Sequence, residues 1–284
     1  MIVGVAGLGH IGGSMAKAAG RFTPHRVLGL DADPSTERAA LEEGAIDGVL
    51  DEEGLSACDL LLVALYPSVS VKFIADHAQE LKKGCCVTDL CGIKAPVCDA
   101  VAPIARRQGF HFVGGHPMAG RAEWGYRASS EDLFAGAPMI LTPSPGTPEA
   151  VMTMLTEFFL ACGFGGIHTC PAEEHDRMVA FTSQLPHVIA NAYVKGASIA
   201  RREFFGGTFR DMTRVAGLNE EMWSEIFLEN RRNLAGELKA LVLRLSRYVD
   251  ALEEGSVTAL LDLLKEGSEC KRKVSITGGV KRWP

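Results

Sequence analysis

Over the first 170 residues, short apolar runs alternate with stretches of helical periodicity. Ile2–Ala6 reads as a strand, followed by a helix to about Ala19. Strands are expected at Arg26–Leu30, Leu60–Ala64, Cys85–Thr88, Phe110–Val113 and Met139–Leu141. Helices are expected at Pro34–Glu43, Val69–Leu81, Lys94–Arg107 and Pro148–Cys162. Leu60–Ala64 is apolar throughout, the pattern of a strand buried on both faces. Such alternation predicts a mostly parallel sheet with helices on both sides. After Pro171 the pattern turns helical, with long helices expected at Glu173–Ala200, Glu221–Glu254 and Val257–Glu266. Leu234, Leu238, Leu241, Val242 and Leu245 form an apolar stripe at helical spacing, suited to an internal core or a subunit interface. The expected fold class is an α/β Rossmann-like nucleotide-binding domain over 1–170, then an all-α helical domain over 171–270. Residues 271–284, with five Lys/Arg, read as a basic surface tail.

Composition narrows the functional classes. A net charge of −6 offers no basic field for a polyanion, so nucleic-acid binding is not expected. No apolar run of about 18 residues is present and no signal peptide is visible, so a membrane span is not expected and the cytoplasm is the expected location. The eight cysteines form no CxxC pair and read as reduced thiols, several of them in the core.

Gly7-Leu8-Gly9-His10-Ile11-Gly12 follows the first strand and opens the first helix, the context that makes GxGxxG a dinucleotide fingerprint. The first glycine permits the turn, the second lets a pyrophosphate approach, and the third lets helix and strand pack. The helix N-terminus adds free N–H groups and a positive dipole end. Asp31 lies 19 residues beyond Gly12, where a carboxylate binds the ribose hydroxyls of NAD and repels the 2′-phosphate of NADP. NAD is therefore the expected cofactor, held by Gly7, Gly9, His10, Ile11, Gly12 and Asp31. Leu65 and Pro67 are expected beside it, where the third apolar strand ends. Asp33, before Pro34, reads as a helix cap.

Several polar segments carry candidate chemistry. His116, in Gly114-Gly115-His116-Pro117-Met118-Ala119-Gly120, follows a strand at the cofactor edge of the sheet. It is either a base that takes an alcohol proton as hydride leaves, or an ordinary loop histidine. Glu173-Glu174-His175-Asp176 lacks metal-ligand spacing, and its neighbouring side chains are expected to point apart on a helix; no metal is expected. Glu173 and Glu174 are adequate as acids in a first helical turn. Arg210 and Arg214 share a helical face and either clamp a carboxylate or pair with Asp211 on the surface.

Taken together, Gly7–Ser14, Val87–Lys94, His116–Gly120, Glu174–Arg177, Ser183–His187, Gly207–Arg214 and Met222-Trp223 resemble the prephenate/arogenate dehydrogenase family of tyrosine biosynthesis. The resemblance runs from Ile2 to about Glu266 and implies a helical C-terminal domain that binds substrate and forms a homodimer. It implies oxidative decarboxylation of prephenate, a small-molecule substrate, with NAD as hydride acceptor. By the same resemblance His116 is the catalytic base, Arg214 holds the ring carboxylate, His187 contacts the substrate near its side chain, and Trp223 walls the pocket. Three positions depart from the family pattern. Gly92 stands where a serine is common, so a hydrogen bond of about 1–3 kcal/mol is missing or is taken over by water or Cys91. Gln184 replaces a histidine near the substrate side chain. Ala122 replaces a glutamate, with Glu123 one place off. The alternatives to prephenate dehydrogenase are an arogenate dehydrogenase, a β-hydroxyacid dehydrogenase and a catalytically weak NAD-binding protein.

Overall fold

The computed structural model describes residues 1–120, 123–196 and 201–277. Its contacts divide the chain into two compact units, Met1–Asn233 and Leu234–Pro284. The first unit opens with β1 (Ile2–Ala6), α1 (His10–Phe22), β2 (Arg26–Leu30), α2 (Pro34–Glu42), β3 (Gly48–Val49), α3 (Glu52–Ala57), β4 (Leu60–Val63) and α4 (Pro67–His77). It continues through β5 (Cys86–Asp89), α5 (Ala95–Gln108), β6 (His111–Pro117), β7 (Pro138–Pro143), α6 (Glu149–Ala161) and β8 (Gly166–Thr169). The sheet order is β3-β2-β1-β4-β5-β6-β7-β8. Every neighbouring pair is parallel except β6–β7.

β4 shows why its run is wholly apolar. Leu60 and Leu62 enter one hydrophobic cluster, and Leu61 and Val63 enter the other. Alternate side chains point to opposite faces, so a strand covered on both sides needs apolar residues at every position. Asp33 caps α2 as expected, accepting from the Ser35 backbone N–H at 2.9 Å.

Three features differ from the expected pattern. β3 spans two residues and β8 four, lengths at which periodicity carries little information. β6 runs on to Pro117, so His116 lies within the strand, paired with Ile140 of β7. Gly114-Gly115 looks like a loop but marks crowding: a Cβ on Gly115 would meet Met139 Cε and Thr88 Cγ2 at 2.7 Å.

The helix expected over Glu173–Ala200 is α7 (Ala172–Val179), a π-helical turn (Ala180–Gln184) and α8 (Leu185–Tyr193); residues 197–200 lie outside the described residues. Pro186 has no N–H to donate into the preceding turn, which favours local widening of the helix. The segment after Gly206 that carries Arg210 is helical, α9 (Gly207–Thr213), and α10 (Glu220–Glu229) follows. α11 (Arg231–Glu253) begins in the first unit and supplies most of its length to the second. α12 (Val257–Thr277) runs on past Glu266, so the start of the expected tail is helical. Residues 278–284 lie outside the described residues. In the second unit, Val242, Leu243 and Leu245 on α11 and Leu261 and Leu264 on α12 are exposed. Among the described residues, no helix is long and apolar enough to cross a membrane. All eight cysteines are free thiols.

Candidate active site

The β1–α1 turn is shaped as its glycines require. Gly7 takes φ +87°, and a Cβ there would lie 2.6 Å from the Ala64 carbonyl oxygen and 2.7 Å from Leu65 Cδ2. A Cβ on Gly12 would lie 1.8 Å from the Gly7 carbonyl oxygen. Gly9 is different, since a Cβ there meets nothing within 4 Å. Two glycines thus close the turn on itself, and the middle one leaves open backbone at the N-terminus of α1, as a cradle for pyrophosphate requires. Asp31, just past β2, accepts from Leu8 N at 2.8 Å through Oδ2 and from Asp33 N at 3.0 Å through Oδ1. It therefore holds the glycine loop, with one backbone donor on each oxygen. A carboxylate oxygen accepts more than one donor, so ribose hydroxyls fit here as well.

His10 and Ile11 form the first turn of α1; the His10 ring donates through Nδ1 to the Ala128 carbonyl at 3.0 Å. Ile11 packs against the core, which gives it a structural task. Pro67 is the first residue of α4, following Leu65 and Tyr66, so this helix too begins at the carboxyl edge of the sheet. These residues fit a bound NAD.

His116 stands two strands beyond β4 at the same edge. Its Nε2 lies 3.9 Å from where a Cβ would sit on Gly92, which also has Ile226 Cδ1 at 3.8 Å. The ring keeps some solvent access, yet packing around the imidazole holds its pKa well below the ordinary 6.5, and His175 and Lys94 push it further down. Burial disfavours the cation, leaving a neutral imidazole able to take a proton.

Behind His116 lies a polar cluster that sequence reasoning missed. His116 Nδ1 is 2.8 Å from His175 Nε2, and His175 Nδ1 is 2.7 Å from Asp176 Oδ1. The expectation that neighbouring side chains in this helical turn point apart is corrected here: His175 and Asp176 bond to each other. Asp176 also accepts from Lys94 N and Ala95 N, both at 2.8 Å, at the start of α5. Lys94 is fully buried, pairs with Asp89, and donates to the Gly115 carbonyl at 2.6 Å. The Glu174–Arg177 motif was the available signal, but its partners are distant in sequence.

The remaining candidates lie on the helices after β8. His187 donates through Nδ1 to the Ser183 carbonyl at 2.8 Å and lies against Trp223, with ring centroids 4.2 Å apart. Trp223 shares α10 with Ile226, which reaches Gly92, and with Glu225, which accepts from Ser68 N at 2.7 Å at the start of α4. α10 thus links the His187 region to the sheet edge. Gln184 is buried at the end of the π turn. Asn230 Nδ2 donates to both the Asp176 carbonyl and Gln184 Oε1 at 2.8 Å, and Gln184 Nε2 has no partner among the described residues. Arg214 is exposed at the end of α9, and its guanidinium makes no ion pair with Asp211 or any other described residue. α9 packs on α8, where Asn191 Nδ2 donates to the Ala216 carbonyl at 3.0 Å. The Cys91 thiol is engaged with the Leu65 carbonyl and Ser70 hydroxyl, both at 3.3 Å, and burial pushes its pKa up. It has no contact with His116 that would replace the family serine. Ala122 lies outside the described residues. No group of three or more His, Cys, Asp or Glu among the described residues is arranged to hold a metal ion.

A glycine cradle for a dinucleotide and a neutral histidine at one sheet edge define an NAD-dependent dehydrogenase. The family model described as prephenate dehydrogenase, nucleotide-binding domain, matches residues 15–166. The model for the prephenate dehydrogenase dimerization domain matches residues 171–266. The chain therefore belongs to the prephenate dehydrogenase family. A cyclohexadienyl dehydrogenase of Zymomonas mobilis is 29% identical, covering 95% of this chain and 94% of its own. Among solved structures, the arogenate dehydrogenase of Synechocystis is 25% identical with a TM-score of 0.83, covering 96% of this chain and 100% of its own. The prephenate dehydrogenase of A. aeolicus, in complex with hydroxyphenyl propionate and NAD+, is 26% identical with a TM-score of 0.83, covering 96% of this chain and 98% of its own.

Proposed function

We infer that this protein is a prephenate dehydrogenase, converting prephenate to 4-hydroxyphenylpyruvate and CO2. The observation that carries this reading is His116, held neutral by burial beside Gly92 at the sheet edge that also carries the nucleotide cradle. Bound NAD supplies the acceptor for the hydride that leaves the hydroxyl-bearing ring carbon. His116 Nε2 accepts the hydroxyl proton and returns it to the oxygen as the ring becomes aromatic. Arg214 holds the ring carboxylate until its bond breaks and CO2 departs; a guanidinium with no partner among the described residues suits that task. His187 and Trp223 form the wall for the substrate side chain.

Gln184 favours prephenate over arogenate. Its oxygen already accepts from Asn230 and its Nε2 has no partner among the described residues, so N–H is the group it has free to offer a ligand. An N–H donor suits a keto oxygen and opposes an ammonium group. The homodimer is proposed from the dimerization-domain match and from exposed leucines and valines in the second unit. We place the nucleotide domain at 1–170, the substrate and dimer domain at 171–270, and the enzyme in the cytoplasm. The test is NADH formation by purified protein with prephenate or arogenate, and with NAD or NADP. Faster turnover of arogenate would transfer the assignment to that substrate; turnover of neither would reject both.

A further inference from the structure

With both imidazoles neutral, the hydrogen bonds behind His116 have one consistent direction. Asp176 accepts backbone N–H groups through both carboxylate oxygens. The His175 nitrogen 2.7 Å from Oδ1 faces an acceptor, so it carries the proton: His175 is protonated at Nδ1. A neutral His175 then offers a lone pair at Nε2. His116 Nδ1, 2.8 Å from that lone pair, must in turn be the donor. The proton of a neutral His116 is thereby confined to Nδ1, and its Nε2, the nitrogen beside Gly92, is bare.

Resting on the reading of His116 as the base, we propose that His175 and Asp176 are positioning residues that fix His116 in the tautomer able to accept the substrate proton. An imidazole protonated at Nε2 cannot take a proton there, however well it is placed. Free exchange of the proton between the two ring nitrogens would leave a share of the enzyme without a base at Nε2. The geometry of the pair is itself clamped. His175 and Asp176 are almost wholly buried, and the Asp176 carbonyl accepts from Asn230 on the segment after α10. Asp176 is thus fixed from α5 on one side and Asn230 on the other. When His116 gains its proton at Nε2, the chain faces the new charge with the Asp176 carboxylate. Other charged or titratable groups around the chain are Lys94, ion-paired with Asp89 behind His116, Cys98 near Lys94 and Asp176, and Cys170 and Glu174 near His175 and Asp176. Burial keeps the resting ring neutral, and His175 and then Lys94 add to the effect.

The experiment is nitrogen-15 NMR of histidine-labelled protein, combined with kinetics of His175→Leu and His175→Gln. In the unaltered protein near neutral pH, His116 is expected to be protonated at Nδ1 and bare at Nε2. His175→Leu removes the acceptor; His116 should then divide between tautomers and kcat should fall at least about tenfold, with NAD affinity unchanged. His175→Gln offers a carbonyl oxygen to the same N–H and should recover most of that loss. A resting His116 protonated at Nε2 would overturn the proposal, as would a doubly protonated His175. So would a leucine variant with undiminished kcat, or a glutamine variant no better than leucine. If the leucine variant does not fold, the NMR of the unaltered protein decides. Because NMR needs no substrate, an enzyme inactive on both prephenate and arogenate would fail the proposed function without touching the tautomer assignment.

Discussion

The nucleotide cradle is made by six consecutive residues, Gly7 to Gly12, and works through backbone: positive φ at Gly7, contact at Gly12, open space at Gly9. The cluster around His116 is made by side chains from β6, α7 and the β5–α5 connection, braced by Asn230. The first is a local arrangement that a short motif contains in full. The second exists only when distant segments meet, and each of its members looks ordinary in its own stretch of sequence. The two regions should therefore fail differently when mutated. Damage to the cradle removes cofactor binding, fold or both, and damage to the cluster removes turnover and leaves the cofactor bound.

His116→Asn gives the largest expected effect in this contrast. Asparagine keeps a polar side chain but offers no comparable base, so kcat should fall by about 10²–10⁴-fold with NAD affinity little changed. Isothermal titration with NAD beside steady-state kinetics separates the two. A comparable loss of NAD affinity would mean that cradle and cluster are not independent.

Next come the glycines, which should split among themselves. Gly12→Ala forces a Cβ to within 1.8 Å of the Gly7 carbonyl oxygen, so it should lower Tm and abolish NAD binding together. Gly9→Ala meets nothing within 4 Å among the described residues. It should keep the unliganded Tm and weaken NAD alone. Equal loss of Tm in both would remove Gly9 as the point of pyrophosphate approach.

Arg214→Gln should act on substrate only. A charge-assisted bond of about 1.5–3 kcal/mol corresponds to a prephenate KM about 10- to 100-fold higher. The guanidinium has no protein partner among the described residues, so Tm should not move. Weakened NAD binding with an unchanged prephenate KM would place Arg214 in the cofactor region instead.

The same contrast explains what was legible beforehand. β1, the Asp33 cap and the two-faced burial of β4 follow from patterns confined to a few residues, and the sequence shows them directly. Gly114-Gly115 misled because glycine marks both loops and crowding, and only the neighbouring strands distinguish these. The π turn at Ala180–Gln184 was hidden because its residues keep helical periodicity, with Pro186 the one local hint. His116 is legible as a candidate base from its place at the end of a strand, and the motif resemblance adds to that; His187 is legible through the resemblance alone. His175 and Asp176 were read as unremarkable because their partners, His116, Lys94 and Ala95, lie about 60 to 80 residues away.

A pH profile tests the electrostatic half of the cluster. Neutral His116 is the active form, so kcat/KM falls as pH falls through its pKa. Burial, His175 and Lys94 hold that pKa well below 6.5, so the profile should stay flat through pH 6.5 and decline only in more acidic solution. An acid limb at or above 6.5 would show that the ring is more freely hydrated than its packing indicates.

Gly92→Ser carries the smallest expected effect and asks whether the cluster can be improved. The added Cβ would lie 3.8 Å from Ile226 Cδ1 and 3.9 Å from His116 Nε2, both ordinary contacts, so serine fits without displacing its neighbours. Its hydroxyl extends one bond further, within hydrogen-bonding reach of the nitrogen left bare by the His175–Asp176 chain. In the free enzyme the hydroxyl can donate to Nε2 and should shift the acid limb further down. With substrate bound, it can help orient the ring hydroxyl toward His116. A net hydrogen bond of about 0.5–1.5 kcal/mol corresponds to a gain of about two- to tenfold in kcat/KM. Because Cys91 is already engaged with Leu65 and Ser70, no existing side chain should mask that gain. A loss greater than tenfold would mean that the space beside Gly92 belongs to the substrate, so that the missing side chain is part of the pocket's shape.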